Sequence, residues 1–215
     1  MKIFYFLPVL AISFTCSAQV QVRYEPRHHN VFENEYVRIL DVHLPPGDTT
    51  QVHIHSTPSA FITLRNVHTG SQVFSQDPAD TATIGSNLVD FTGFYHQPRI
   101  HRVYNSDTRE YRVMDIELLK KEYQSLQPPM DVKGMKVVFD EKPARGYELL
   151  LAKGEKIKIA DRNAPLLLVN GTEGSNISLN KNIFRFGGYT FVEPHTAISL
   201  VNKGDQATLA LLELK

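Results

Sequence analysis

The chain has 215 residues, and its 23 Lys and Arg side chains balance its 23 Asp and Glu side chains. This balance, without any basic run of five or more residues, argues against nucleic-acid binding, and nothing in the composition favours a membrane surface. The one cysteine, Cys16, excludes disulfides and thiolate chemistry from the rest of the chain, so any metal must be bound through nitrogen and oxygen.

Residues 1–18 have the features of a secretory signal peptide. Lys2 supplies the positive start, Ile3–Thr15 is a nearly continuous apolar run, and small residues precede Gln19. The apolar run is too short to span a membrane, and no stop-transfer pattern follows it. We therefore expect cleavage before Gln19 and an exported protein, periplasmic or secreted. The alternative is a lipoprotein anchored through Cys16, which the residues just before that cysteine disfavour.

Short β-like runs dominate the chain after a segment at residues 19–30 that we expect to be flexible. They are rich in Val, Ile, Leu or aromatic residues and are separated by Gly, Pro, Asn and Asp. The clearest runs are Tyr36–Leu44, Val52–His55, Ala60–Leu64, Tyr111–Leu118, Tyr147–Leu151, Leu166–Val169 and Ala207–Leu214. Helical patterns are confined to Glu117–Leu126 and Asp140–Tyr147. The pattern predicts an all-β sandwich or barrel with few short helices.

The pattern of turns predicts that the chain is doubled. Each half has a glycine after an apolar strand, at Gly47 and Gly154, and an Asn-initiated turn near its end, at Asn105 and Asn202. Two prolines after Gln127 are typical of a linker. We expect two small barrels packed against each other. The predicted ranges are 31–120 for the first unit, 121–146 for the linker and 147–215 for the second unit.

Three histidines are the candidate metal ligands. His53 and His55 stand two residues apart on one predicted strand, so their side chains share a face. His101 lies one hairpin later and can add a third imidazole. Three protein nitrogens leave coordination positions open for water, oxygen or substrate, as catalytic metal sites require. The alternative is that the two strand histidines are incidental polar residues on an outward face.

The spacing of these histidines resembles the two motifs of the cupin superfamily. Gly47, five residues and then His53-Ile54-His55 match the first motif, although its glutamate falls on Ala60. His101 and Asn105 match the end of the second motif. The resemblance implies a bicupin of two jelly-roll barrels, with one divalent metal (Fe, Zn, Ni, Cu or Mn) at the mouth of the first.

The resemblance also implies the residues around that metal. His53, His55 and His101 would be its ligands, and His96 is a candidate for the fourth position left by the missing glutamate. A ligand set without a carboxylate favours Fe, Zn, Ni or Cu over Mg or Ca, and it favours an anionic or enolic substrate. Tyr95 and Arg99 are candidates for binding that substrate.

The second half is expected to lack a metal. When Gly154 and Asn202 are aligned with their first-half counterparts, Ala160, Arg162 and Ile198 fall where the three histidines stand. The C-terminal unit is therefore predicted to be a degenerate copy. Arg162 is expected either to bind an anion in the vacated pocket or to form a surface salt bridge.

Two classes of function follow from the sequence. As an enzyme, a metal-dependent cupin would act on a small oxygenated substrate as a dioxygenase, isomerase or lyase, and no catalytic residue can be named. As a non-catalytic module, the barrel would bind a small ligand such as a sugar or organic acid, or serve as an oligomerisation unit with incidental histidines. Either class is compatible with a homodimer.

Overall fold

The structure, a computed structural model, describes residues 19–74, 88–94 and 96–215. The predicted signal peptide and Tyr95 lie outside the described residues. The strands are β1 (Val20–Gln21), β2 (His28–Glu33), β3 (Val37–Leu44), β4 (His53–His55), β5 (Ser59–Arg65), β6 (Thr69–Val73), β7 (Val89–Thr92), β8 (Arg99–Asn105), β9 (Tyr111–Leu118), β10 (Met135–Asp140), β11 (Ala144–Leu151), β12 (Lys156–Ile159), β13 (Leu166–Asn170), β14 (Ile177–Leu179), β15 (Asn182–Phe184), β16 (Tyr189–Val192), β17 (Ile198–Asn202) and β18 (Ala207–Leu214). A single 3-10 turn, Val22–Tyr24, is the only helical element in these ranges, and none of their helices could cross a membrane.

The strands form two pairs of sheets. The two five-stranded sheets have the same strand order, and the two four-stranded sheets share three consecutive strands, β4-β8-β6 and β12-β17-β14, with β1 and β15 added at opposite edges. The first half has a five-stranded sheet, β2-β3-β9-β5-β7, and a four-stranded sheet, β1-β4-β8-β6, which together form the N-terminal sandwich. The second half has a five-stranded sheet, β10-β11-β18-β13-β16, and a four-stranded sheet, β12-β17-β14-β15, which form the C-terminal sandwich. This confirms the predicted all-β jelly-roll class.

Both helical predictions are wrong. Glu117 and Leu118 end β9, and residues 119–126 contain no helical turn. The backbone N–H of Leu119 instead donates to the carbonyl of Tyr36 at 2.8 Å. The range Asp140–Tyr147 contains the end of β10 and the start of β11. Pairing with neighbouring strands satisfies these backbone groups and overrides the local helical pattern.

The glycine and asparagine turns of the two halves have the same structure. Gly47 and Gly154 have φ angles of 75° and 76°, in the left-handed region that favours glycine. Their N–H groups donate to the carbonyls of Asn105 and Asn202, both at 2.9 Å. Each buried asparagine side chain also donates to the carbonyl at the end of the strand before the glycine turn, Leu44 or Leu151, and to a carbonyl of its own turn. Asn105 is therefore a structural residue of the turn.

The two sandwiches pack against each other through their five-stranded sheets. A continuous layer of buried apolar side chains lies between these sheets, and it comes from alternate positions of their strands. Its members include Val37, Ile39, Ala60, Ile62, Met114, Ile116, Leu167, Val169, Ala210 and Leu212. The opposite faces of both sheets point into the sandwich interiors. The interior of the N-terminal sandwich holds the candidate site.

Candidate metal centre

The structure brings the three predicted histidines together. Strand β4 pairs antiparallel with β8, so that His53 stands directly opposite His101. The imidazoles of His53, His55 and His101 are all buried, with 0 %, 3 % and 9 % exposure. Ring centroids of His53 and His55 lie 4.6 and 4.9 Å from that of His101. These side chains point into the sandwich, which excludes an incidental pair on an outward face.

A fourth imidazole, His28, completes the cluster and was missed from the sequence. Its ring centroid lies 4.7 Å from that of His53, and the ligand atoms of His28, His53 and His55 lie within 4.8 Å of one another. The segment expected to be flexible instead forms β1, the 3-10 turn and the start of β2, and it buries Val22 and Glu25. The matching strand of the second half, β10, lies in the range predicted as a linker, so the internal repeat gave no signal for β2 either.

Two of the imidazoles are oriented by uncharged groups. His53 Nδ1 donates to the carbonyl of Gln51 at 2.8 Å, which leaves its Nε2 without a proton when the ring is neutral. His101 Nδ1 lies 2.9 Å from the hydroxyl of Ser71. The Nε2 of His101 is buried and has no hydrogen-bond partner among the described residues. The Nε2 atoms of His53 and His55 are 3.1 Å apart.

The other two imidazoles are backed by buried carboxylates. His28 Nδ1 lies 2.5 Å from Glu25 Oε2. His55 Nδ1 lies 3.3 Å from Asp115 Oδ2, an ion-pair distance without hydrogen-bond alignment. Such outer carboxylates fix the ring orientation and increase the basicity of a histidine that ligates a metal. All four rings thus contact an orienting group through Nδ1 and leave Nε2 available.

The charges of the site complement a cation. Burial, followed by the charges of His55 and His28, lowers the pKa of His53 to about 3, and burial also lowers the pKa of His101. Burial would raise the pKa of Glu25 and Asp115, but interactions with their histidines outweigh it and lower the pKa of both carboxyls. The neutral imidazoles of His53 and His101 therefore share the site with two ionised carboxylates. This donor set fits a divalent transition metal better than Mg or Ca.

A cavity of about 320 Å³ extends from the histidines through the N-terminal sandwich. Its walls combine apolar and aromatic side chains with polar and charged ones, which include the histidines. The ring of Phe94 stacks on His55 at a centroid distance of 5.6 Å, and Phe61 meets the same imidazole edge-on at 5.8 Å. Arg99 also lines the cavity, next to β4. The volume suits a small organic molecule beside the imidazoles.

Other predicted site residues lie elsewhere. His96 is exposed, whereas the buried His28 stands beside the cluster. Ala60, at the glutamate position of the first motif, is fully buried in the apolar layer between the two sandwiches. That position therefore faces away from the cluster. Tyr95 lies outside the described residues, so its prediction stands as made.

The register of the second half corrects the sequence alignment by one residue. Ile159 pairs with Ile198 as His53 pairs with His101, so Ile159 rather than Ala160 corresponds to His53. Both isoleucines are 1 % exposed. Arg162 donates to the buried carboxylate of Glu213 at 2.7 Å, which favours the salt bridge over an anion site.

Comparison with known proteins supports the fold. No protein-family model and no curated protein matches the chain. The nickel(II) complex of the bacterial pirin YhhW from Escherichia coli matches with a TM-score of 0.57 and 14 % identity, covering 87 % of this chain and 90 % of that one. The chain has a cupin-type fold.

Two further solved structures share this fold. Salicylate 1,2-dioxygenase from Pseudoaminobacter salicylatoxidans, in adducts with gentisate, matches with a TM-score of 0.55 and 11 % identity, covering 85 % of this chain and 70 % of that one. AerE from Microcystis aeruginosa matches with a TM-score of 0.53 and 9 % identity, covering 89 % and 98 %. Identities this low establish the fold, and the function must be argued from the site.

Proposed function

We propose that this chain is an exported cupin-fold protein that binds one divalent transition metal through His53, His55 and His101. It would act on a small oxygenated substrate as a dioxygenase, isomerase or lyase. The observation that carries the proposal is the buried Nε2 of His101, which has no hydrogen-bond partner among the described residues, on a ring whose centroid lies 4.6 Å from that of His53 and 4.9 Å from that of His55. A buried polar atom left without a partner costs about 1–3 kcal/mol, and a shared cation would satisfy all three nitrogens.

The bound metal would polarise a substrate oxygen or support redox chemistry. The carbonyl of Gln51 and the hydroxyl of Ser71 hold the rings of His53 and His101, so that the nitrogen atoms are positioned before the substrate enters. Apolar and aromatic side chains form part of the cavity wall beside the imidazoles. The guanidinium of Arg99 supplies positive charge to the same cavity, which suits an anionic or enolic substrate.

A non-catalytic binding module is the second candidate. Among the described residues that line the cavity, the only carboxylates are Asp90 and Asp115. Asp115 lies against His55 with a lowered pKa, since that interaction outweighs burial, so it suits an orienting role better than proton transfer. A barrel that only holds a sugar or organic acid would need no further base.

The chain is proposed to be a bicupin whose C-terminal copy has lost its site. The shared strand order supports a duplication, as does a repeated buried ion pair: Arg38 with Glu117 in the first half and Arg145 with Glu213 in the second. Strand β10 pairs with β11 inside the range predicted as a linker, so we place the start of the second unit at β10. A homodimer remains part of the proposal.

Export is proposed from the sequence of residues 1–18 alone. It predicts that the mature protein recovered from the periplasm or medium begins at Gln19. N-terminal sequencing by mass spectrometry tests this directly, and a mature chain lipidated at Cys16 would contradict it.

Metal analysis of the purified protein tests the proposed site. We expect about one transition-metal ion per chain in the wild type and a loss of that metal in the double variant His53→Ala/His55→Ala. His68→Ala, which removes an exposed imidazole, is the matched control and should retain the metal. Substoichiometric metal that is unchanged in the double variant would contradict the proposal. Stoichiometric iron whose absorption is bleached by oxygen only when a substrate is bound would favour the enzyme over the binding module.

A further inference from the structure

The site predicted from the sequence has three histidine ligands and His96 as the candidate fourth. In the structure His96 is exposed, and the fourth imidazole near the other three is that of His28. The fourth, His28, comes from β2 in the N-terminal segment, outside both sequence motifs. We propose that His28 is the fourth protein ligand of the metal and that the segment from Val20 to His28 is part of the metal centre. This inference rests on the proposed metal site and identifies its complete ligand set.

Distances in the cluster suit a common ion. The ring centroid of His28 lies 4.7 Å from that of His53 and 6.2 Å from that of His55, and the ligand atoms of the three residues lie within 4.8 Å of one another. Nitrogen atoms bound to one zinc ion at about 2.0–2.1 Å are about 3–4 Å apart. A movement of about 1 Å would therefore bring all three into one coordination sphere.

The position of His28 is fixed by a network that also fixes His53. Glu25 contacts His28 Nδ1 at 2.5 Å and accepts the backbone N–H groups of Arg27 at 2.8 Å and Gln51 at 3.0 Å. The carbonyl of Gln51 in turn accepts the Nδ1 proton of His53. Both carboxylate oxygens of Glu25 are thus occupied, which makes it an orienting group for His28.

Ligand number and charge support the same assignment. Ala60 stands where the first motif has its glutamate, and its side chain lies in the layer between the sandwiches, so the fourth position needs another residue. His28 supplies a nitrogen from inside the cluster. Four neutral imidazoles with the carboxylates of Glu25 and Asp115 behind them would balance the two charges of a divalent cation. A six-coordinate metal would still keep two positions for exogenous ligands.

The C-terminal sandwich shows that the fold does not require a histidine at this position. Met135 pairs with Leu149 as His28 pairs with Val42, and Met135 packs against the apolar core. Val132 corresponds to Glu25, since each carbonyl accepts the N–H of the residue three positions later. The histidine and its carboxylate are therefore specific to the half that has the histidine cluster.

Nuclear magnetic resonance of protein labelled with ¹⁵N-histidine tests the assignment. On addition of Zn²⁺ to the wild type, we expect four histidine Nε2 resonances to move to metal-bound shifts. His28→Met, which copies the C-terminal residue, should leave three such resonances and weaken zinc binding at least tenfold in a competition titration. His29→Met replaces the exposed neighbour on the same strand and is the matched control. It should retain four metal-bound Nε2 resonances.

Three ligated resonances in the wild type, unchanged in His28→Met, would overturn the role of His28 and leave the proposed site intact. A wild type that binds no zinc and contains no other transition metal when purified would overturn both. The wild-type count does not depend on any variant folding. Glu25→Gln adds a second test: it should retain four ligated nitrogens while weakening zinc binding about 10–100-fold, as expected for an outer-shell partner. Unchanged affinity would contradict the orienting role of Glu25.

Discussion

The two sandwiches have five-stranded sheets of the same strand order, and their interiors differ in polarity. The C-terminal interior is filled by buried apolar side chains, whereas the N-terminal interior has a small apolar cluster and a cavity surrounded by polar groups. Ile159 and Ile198 occupy the positions of His53 and His101. Leu211 occupies the position of Asp115, because each lies opposite the corresponding residue of the neighbouring strand. The C-terminal sandwich thus has an apolar interior, and the N-terminal sandwich has a cavity lined by imidazoles.

This difference separates stability from function within one chain. Full burial of a leucine side chain contributes about 1.5–3 kcal/mol, whereas burial of a polar group without a partner is unfavourable. The C-terminal interior therefore stabilises the protein, and the N-terminal interior gives up part of that stability. The C-terminal sandwich has isoleucine, leucine and methionine at the positions of the polar residues His53, His101, Asp115 and His28. The fold therefore does not require these polar side chains, and a bound ligand best explains them.

The largest expected effect comes from exchanging residues between the interiors. Leu211→Asp places a carboxylate in the packed core without a cationic partner, and we expect the free energy of unfolding to fall by about 4 kcal/mol or more. Urea unfolding of the purified variant measures this loss. Leu211→Ala, which only creates a cavity at about 2–5 kcal/mol, separates the charge effect from lost packing.

The reverse exchange, Asp115→Leu, should not destabilise the metal-free protein, since it replaces a buried carboxylate with an apolar side chain. Metal affinity should fall about 10–100-fold, because His55 loses its outer partner. A stability loss as large as that of Leu211→Asp, with metal affinity unchanged, would mean that Asp115 is structural and that the contrast between the interiors is wrong.

The metal-free protein should lose stability as the pH falls below about 6.5. His53 stays neutral in the folded state, where burial and the neighbouring histidines lower its pKa to about 3, while the unfolded chain takes up a proton near pH 6.5. The unfolded state then binds more protons, so the free energy of unfolding decreases with falling pH. Between pH 7.5 and 5.5 the free energy of unfolding falls by about 1.4 kcal/mol for each histidine that stays neutral in the folded state.

The comparison variant for this pH effect is His53→Ile/His101→Ile, which introduces the C-terminal residues. Because burial also lowers the pKa of His101, the variant should lose about 2–3 kcal/mol less than the wild type over the same pH range. Urea unfolding at the two pH values, with chelator present throughout, provides the numbers. Equal pH slopes in the two proteins would show that these imidazoles do not stay neutral in the folded state.

The smallest difference in stability between the two halves is expected at the asparagine turns, which have the same structure in both. Asn105→Ala and Asn202→Ala each remove a buried amide that donates to backbone carbonyls in the same turn. Each should cost about 1–3 kcal/mol, and the two values should agree within about 1 kcal/mol. Thermal unfolding compares them. Loss of metal in Asn105→Ala with native stability would instead assign Asn105 to the site.

The sequence predicted the residues whose partners are set by strand alternation. His53, His55 and His101 share a face because two neighbouring strands each place alternate residues inward, and this can be read from spacing alone. The all-β class followed from the same periodicity. His28 could not be placed in this way, since its contact with His53 depends on the register between β2 and β3 and on the bulge in β2.

Two errors have the same physical origin. The helical patterns at Glu117–Leu126 and Asp140–Tyr147 were local, and hydrogen bonding to distant strands decided the structure instead. The alignment that paired His53 with Ala160 assumed equal loops after Gly47 and Gly154, but the loop after Gly154 is one residue shorter. A shift of one residue exchanges the two faces of a strand. Only the cross-strand pairing of Ile159 with Ile198 reveals the correct register.

A crystal structure of the protein grown with Zn²⁺ or Ni²⁺, with an anomalous difference map at the metal edge, tests the central claim most directly. We predict one strong peak per chain in the N-terminal sandwich, about 2.0–2.2 Å from Nε2 of His53, His55 and His101, and no peak in the C-terminal interior. No peak among these histidines in crystals that contain the metal elsewhere would contradict the account.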